Sequence, residues 1–408
     1  MPPLPDVSIT LGNGNLGRLA QSEDGVAGII VSGVAVGGQF ALGDVLGPFL
    51  SIKDAEAKGI TQAYDITNTC LAWHHINSFF QEAGNGNPLW VMVVAKTVTL
   101  TDQALNTNAY AKKLLTAAGG KIRICGLTRV PQTGYTPTYD SGLDTDITDA
   151  LGNLKDLFAE EFADHRPVRF VVEGRDWQGN AGTSLDLTDT AGVTCNVAMV
   201  VIGQDRDMAA AHAAAAKSAA VGLMLGTLAR SRVHHSAGRV KSGALSIDNV
   251  GLSNGTAIQL MTTTDLNALN DKGYVFMRII TGVAGKFWNG DSMACPETDD
   301  YALMSRCRVI DKAARITYTT YVNELLDDIE LDPNTGRMAV AVVKNYEAII
   351  EAAVGTQMAG EISGVGAYVD PAQDVLSDDE VDIELNIVPR GLAKNISVAL
   401  SYARSITT

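Results

Sequence analysis

The chain predicts a layered α/β (α+β) fold, and three observations carry that prediction. Between about residues 26 and 282, short apolar runs rich in β-branched residues alternate with segments of helical periodicity. Beyond residue 298 the alternation stops, and two long helical patterns are followed by two strands of period two. Both chain ends alternate apolar with polar residues, as half-buried strands do.

At the N-terminus, Val7, Ile9 and Leu11 alternate with Ser8 and Thr10, and the run leads straight into Gly12, Gly14 and Gly17. These glycines spell G-x-G-x-x-G. A dinucleotide site needs a helix after the glycines, whose N-terminus receives the pyrophosphate. Only RLAQSEDG, residues 18–25, precedes the next strand, which is too short for a crossover helix. The glycines therefore read as a hinge that lets the backbone change direction. No cofactor is expected.

Strands follow over 26–34, 89–95, 121–128, 168–173, 194–202, 257–260 and 274–280, with helices over 65–83, 103–117, 143–163, 207–230 and 264–271. In the third helix Ile147, Leu151, Leu154, Phe158 and Phe162 recur three or four apart, with Asp144, Asp146 and Asp149 at its positive end. The fourth contains an apolar stretch, 208–229, about as long as a bilayer span. His212 and Lys217 lie within it, Asp205, Arg206 and Asp207 precede it, and Ala dominates it. It reads as a buried helix of a soluble protein whose small side chains admit another backbone. Past 298, helices are expected over 299–328 and 338–358, separated by the turn DPNTG at 332–336. Val381, Ile383, Leu385 and Ile387 then face one way, and Ile396, Val398 and Leu400 repeat the pattern after the PRG turn. A domain boundary is placed near 282, with no internal repeat.

With 31 basic and 46 acidic residues the formal charge is −15, which argues against a nucleic-acid backbone as partner. Charged residues make up 19% and hydrophobic ones 46%, a polar-poor balance that suggests a surface partly covered by neighbours. Cys70, Cys125, Cys195, Cys295 and Cys307 are scattered and never form C-x-x-C, so a reducing compartment without a disulfide framework or zinc site is expected. MPPLPDVSIT has neither the basic nor the apolar region of a signal peptide.

Local chemistry motifs are weak. His74 and His75 are helical neighbours pointing about 100° apart and cannot share a metal unaided. His234 and His235 sit in a loop, where packing competes with a ligand role. DTDITD at 144–149 lacks the glycine and glutamate of a calcium loop, and GVAGKFW at 282–288 has Phe287 where a phosphate loop needs Ser or Thr. No metal or catalytic residue is expected. A site assembled from distant residues would escape such a search, so an oligomeric α/β enzyme stays an alternative.

A lone terminal strand must pair with a sheet edge. That edge belongs either to the chain's own sheet or to another copy, and in the second case the contact is head-to-tail and propagates.

Four stretches carry a resemblance: PDVSIT near the start; AAVGLMLGTLARSRVHHSAG at 219–238; GYVFMRIITGVAGKFWNGDSMACPETDDYALMSRCRVID at 273–311; and VDIELNIVPRGLAKNISVAL at 381–400. Ser305, Arg306, Cys307 and Arg308 stand at a "y..i..RRv.d" motif whose twin arginine is split here by Cys307. On these residues the chain resembles the contractile tail sheath proteins of phage tails, R-type pyocins and related contractile injection systems. The resemblance implies an N-terminal arm with the glycine hinge (1–18), an outer α/β domain (19–282), an inner tube-facing domain (283–392) and a C-terminal arm (393–408). It implies that Val7, Ser8, Ile9, Thr10 and Leu11, and Ile396, Ser397, Val398, Ala399 and Leu400, add strands to a neighbour's inner sheet, with Val381, Ile383, Leu385 and Ile387 as acceptor strand.

The function so implied is structural and non-enzymatic: a subunit that polymerises helically around an inner tube and contracts to drive it through a target envelope. Implied partners are further copies of the chain, a tube protein, and baseplate and terminator proteins, with no nucleic acid and no direct membrane insertion. Assembly would occur in the bacterial cytoplasm. Lys344, Glu347 and Glu351, at i, i+3 and i+7 of the 338–358 helix, are nominated as tube contact, an ordinary solvated face being the alternative. A capsid or tube component of the same particle is a further alternative.

Overall fold

The computed structural model describes residues 23–402, so the strand at 7–11 and the hinge glycines Gly12, Gly14 and Gly17 lie outside the described residues. In chain order the elements begin with β1 (Ala27–Ser32), β2 (Val45–Phe49), α1 (Ile52–Ala57), α2 (Gln62–Asn68), α3 (Ala72–Ala83), β3 (Leu89–Val94), α4 (Leu100–Gln103), α5 (Ala111–Ala117) and β4 (Ile124–Leu127). Next come β5 (Tyr139–Asp140), β6 (Leu143–Asp144), α6 (Thr145–Ala163), β7 (Arg169–Glu173), β8 (Ala198–Val201), β9 (Gly203–Asp205), α7 (Arg206–Ala211) and α8 (Val221–Arg230). The remainder is β10 (Val250–Leu252), α9 (Thr263–Asp271), β11 (Met277–Arg278), β12 (Phe287–Trp288), α10 (Met304–Tyr321), α11 (Val340–Gln357), β13 (Ile362–Val369), α12 (Val375–Asp378) and β14 (Ile383–Pro389).

Six strands form one mixed sheet in the order β2-β3-β1-β4-β7-β8, parallel throughout except where β2 meets β3. β1, β4, β7 and β8 are buried at every position, which is why they read as unbroken apolar runs. Helices cover both faces. A side chain at Gly28 would meet Leu114 of α5, whereas one at Gly126, on the side of Ile29, would meet Val221 and Leu225 of α8. Gly28 and Ile29 are consecutive and point to opposite faces, so α5 and α8 lie on opposite sides of the sheet.

The Ala-rich segment is not one helix. It breaks at His212, whose backbone is extended (φ −138°, ψ 118°), and continues through a 3₁₀ turn at Ala213–Ala215 before α8 begins. No helix among the described residues is long and apolar enough to cross a membrane. What the small residues do achieve is contact with α3: a Cβ at Gly222 would lie 2.2 Å from the carbonyl oxygen of His75, and one at Gly226 2.7 Å from that of Phe79.

Other elements depart from the sequence reading for local reasons. The helix expected over 65–83 divides at Thr69, which is left-handed (φ 49°), because the Asp65 carboxylate accepts from the amides of Trp73 and His74 and starts α3 afresh. The one expected over 103–117 is α4 and α5, separated by a stretch containing Asn106, Thr107 and Asn108, residue types of low helix propensity. The strand expected at 257–260 is a 3₁₀ turn, Ile258–Leu260; the strand there is β10, which pairs antiparallel with β9. β2 and β13 escaped the reading because their sequences, VLGPF and ISGVGAYV, contain Gly and Pro.

The chain divides into two compact units between Arg315 and Ile316. The boundary expected near 282 falls inside the first unit, since Trp288, Met293, Ala294, Cys295, Met304 and Cys307 belong to its core. Within that unit Arg169 of β7 pairs bidentately with Asp311 of α10 (2.8 and 2.7 Å), both side chains buried, and its guanidinium lies 4.2 Å from the Phe158 ring centroid. The second unit has a small core of Met338, Val343, Tyr346 and Val369.

Two predictions follow from this packing. Gly222→Ala forces α8 off the His75 carbonyl and should destabilise the protein by about 1–3 kcal/mol, read as a lowered Tm. Arg169→Met strands the Asp311 carboxylate in the core and should cost about 3–5 kcal/mol in urea unfolding, with R169M/D311L recovering most of the loss.

Candidate functional site

An α/β sheet places its ligand crevice at the carboxyl ends of the strands where the strand order reverses, here at β1 and β4. That position is occupied by the chain's own polar groups. Thr128 Oγ1 donates to the Ile30 carbonyl (2.8 Å), Ser32 Oγ accepts from the Val130 amide (3.0 Å) and Gln103 Nε2 donates to the Thr128 carbonyl (3.0 Å). Buried Glu173 accepts from the amides of Arg129 (2.8 Å) and Ala219 (2.9 Å). Burial pushes its carboxyl up, against the nearby Arg175 charge and those amides. Asp146 of the calcium-like run accepts from Leu100 and Thr101 and pairs with Arg129 at 2.7 Å.

The histidines are likewise packed. His74 and His75 are buried on α3; burial lowers His74 to about 4 and His75 well below the ordinary value, with neighbouring charge adding to it. His234 and His235 lie with ring centroids 4.2 Å apart, and burial, then its neighbour, brings His235 to about 4. Among the described residues no group of three or more His, Cys, Asp or Glu side chains could hold a metal ion. All five cysteines are free and buried. Of the arginine motif, Arg306 is exposed while buried Arg308 donates to the carbonyls of Asp24 and Ser231, so part of the motif serves packing.

The second unit is built differently. Its sheet has two strands, β13 and β14, paired antiparallel with Val365 opposite Ile387, Ala367 opposite Leu385 and Val369 opposite Ile383. α11 packs along β13. Its Glu351 accepts from the Ala367 amide (2.8 Å) and its Glu347 from the Val369 amide (3.1 Å). Those amides therefore point away from β14, and in an antiparallel ladder the residues opposite them, Ile383 and Leu385, turn their own N–H and C=O groups outward on the far edge. Ile387 belongs to the same set. Gln373 closes the start of β14 by exchanging hydrogen bonds with the Asp382 backbone, and Arg390 donates to the Gly360 carbonyl beyond its end. Between those points nothing among the described residues hydrogen-bonds along the outer edge of β14.

The second terminal segment, expected as a strand donated to a neighbouring copy with its own sheet as the alternative, pairs with no strand among the described residues. Ile396, Ser397, Val398, Ala399 and Leu400 form no strand, and Ile396, Val398 and Leu400 are 83%, 77% and 95% exposed. The hairpin partner of β14 is β13 instead. Lys344, Glu347 and Glu351 do share a face of α11, but Glu347 is buried and both carboxylates turn to β13, leaving Lys344 in solvent with its ammonium 2.5 Å from Glu347 Oε2. The face nominated as tube contact is thus a strand-facing pair with one exposed partner. Sequence reasoning missed the Ala367 and Val369 amides; the signal available was the alternation of Val365, Ala367 and Val369, masked by Gly364 and Gly366.

Two family models match the chain: DUF2586, N-terminal domain, over residues 4–292 and DUF2586, C-terminal domain, over residues 300–407. No curated protein matches it. Its fold is similar to a chain of the anti-feeding prophage (AFP) baseplate, at 14% identity and TM-score 0.59, covering 99% of this chain and all of that one. It is similar to a chain of the PVC sheath complex of an extracellular contractile injection system in the contracted state, at 10% identity and TM-score 0.58, covering 99% of both. It is also similar to the sheath tail protein Lin1278 of Listeria innocua, at 9% identity and TM-score 0.50, covering 92% of this chain and 97% of that one.

The Lys344 ammonium and then the Val369 amide hold the Glu347 carboxyl below its ordinary 4.5. A depressed folded pKa means a stabilisation complete above that ordinary value and lost as pH falls through the folded one. Hydrogen-exchange protection of the Val369 amide, corrected for intrinsic rate, should hold from neutral pH down to about 4.5 and drop as the pH falls further. Glu347→Gln should abolish that step.

Proposed function

This chain belongs to the DUF2586 family, and we propose that it is the structural subunit of a contractile sheath, polymerising helically around an inner tube and contracting to drive the tube through a target envelope. The observation that carries the reading is a mismatch inside the second unit. Among the described residues an alternating apolar segment, 396–400, stands exposed without a strand partner, and the outer edge of β14 meets no strand. An exposed strand and an exposed edge are each unfavourable alone and satisfy one another when paired.

The segment follows β14 after the stretch 390–395, long enough for a β-hairpin, yet among the described residues it does not fold back onto the outer edge of β14. We therefore assign the donor to a neighbouring copy, which makes the contact heterologous and propagating. Ile383, Leu385 and Ile387, with Val381 before them, are the acceptor strand, and Ile396, Ser397, Val398, Ala399 and Leu400 the donor. Val7, Ser8, Ile9, Thr10 and Leu11 are a second donor swinging on Gly12, Gly14 and Gly17.

Full-length likeness of fold to chains of a baseplate and of a contracted sheath supports the reading, which is non-enzymatic. In it the tube contact falls to the exposed side of α11, where Lys344 remains available while Glu347 and Glu351 are engaged with β13. Other copies, a tube protein and baseplate and terminator proteins are its partners, with assembly in the bacterial cytoplasm.

Electron microscopy of the purified chain tests the reading. Hollow striated cylinders are expected; small closed oligomers point to an enzyme, and smooth thin tubes or shells to another particle component. Deleting 393–408, or separately 1–16, should leave a folded monomer that forms no cylinders, and long cylinders from either truncated chain contradict the assignment.

A further inference from the structure

We propose that the Glu347 and Glu351 carboxylates are placeholders for a strand: they hold the edge amides of β13 in the unassembled subunit and are ejected when a strand from a second copy of this chain adds to that edge. The inference rests on the strand-exchange reading above and extends it to the other side of the hairpin.

Geometry makes the substitution possible. Residues four apart on a helix are separated by about 6 Å along its axis. Alternate residues of a strand are separated by about 6.6 Å. Glu351 and Glu347 on successive turns of α11 therefore present acceptors at nearly the repeat of a neighbouring strand's carbonyls, and they meet Ala367 and Val369, two apart on β13. Ejection leaves no stranded charge in a core. Glu351 is half-buried, and the second oxygen of Glu347 already accepts from Lys344, whose side chain is 69% exposed. The entrant is the period-two segment 396–400, which pairs with no strand among the described residues and which each copy carries once, so that a copy adding it at β13 instead of at β14 sets its carbonyls in place of the carboxylates at the same amides.

The two hairpin edges consequently differ. β14 accepts a strand directly, whereas β13 accepts one only in exchange for two charge-assisted hydrogen bonds. Subunits are thereby kept from adding edge to edge before a partner is correctly placed.

Full-length wild type, E347A/E351A and E347Q/E351Q, compared by light scattering and electron microscopy, decide the matter. Baring the amides should shorten the assembly lag by about tenfold, equivalent to about 1.4 kcal/mol of competing hydrogen bonding, and still give cylinders. The Gln variant, whose neutral carbonyl accepts more weakly, should fall between. A folded Ala variant with the wild-type lag, a longer one, or amorphous aggregate overturns the proposal. If the Ala variant does not fold, a Gln variant with the wild-type lag overturns it. Strand exchange itself fails if wild type forms no cylinders or the chain lacking 393–408 still forms them; unchanged Glu variants beside an assembly-dead truncation remove the placeholder role alone.

Discussion

Backbone amides and carbonyls along a strand must find partners, and a two-stranded sheet necessarily leaves two edges. The second unit consists of that problem and its partial answer. One edge is met by carboxylates from α11, the other meets no strand among the described residues, and the chain beyond the hairpin carries a period-two segment that forms no strand there. Its core is small for its length, so the hairpin depends on what its edges are joined to.

The first unit shows the same device used to closure. Asp65 caps α3, Asp146 holds the start of α4, buried Asp291 accepts from the Ser305 amide at the start of α10, and Glu173 joins the Arg129 and Ala219 amides. Acidic side chains thus serve repeatedly as acceptors for backbone amides that secondary structure leaves over. This gives part of the −15 charge a structural cause: several carboxylates are spent on internal helix starts and strand edges instead of on an external partner. Each is tolerated where it is because two or more donors converge on it.

Much of the sheet was legible because parallel strands covered on both faces are continuously apolar. The runs around Ile29, Val91, Val171 and Val200 announce themselves, and the 143–163 helix is visible in Ile147, Leu151 and Leu154. Boundaries failed where one side chain redirected the backbone. Asp65 cannot be recognised as a cap for Trp73 and His74 until the chain has turned at Thr69, and nothing in AAAHAAAA marks His212 as the extended residue. β13 was hidden because Gly364 and Gly366 carry no apolar signal, although its backbone pairs as fully as that of β14. The spacing of Lys344, Glu347 and Glu351 located a face correctly; what that face meets depends on a strand sixteen residues beyond Glu351.

By itself the sequence determined the α/β class, the change of pattern after residue 298, and the period-two segment at 396–400, because each is written in local apolar periodicity. Tertiary structure alone decided that 396–400 pairs with no strand among the described residues, that β14 pairs with β13, and that the α11 carboxylates cover one edge of that pair. The physical reason is that a strand's periodicity specifies which face it buries, whereas the neighbour to which its backbone bonds is chosen only when other segments arrive.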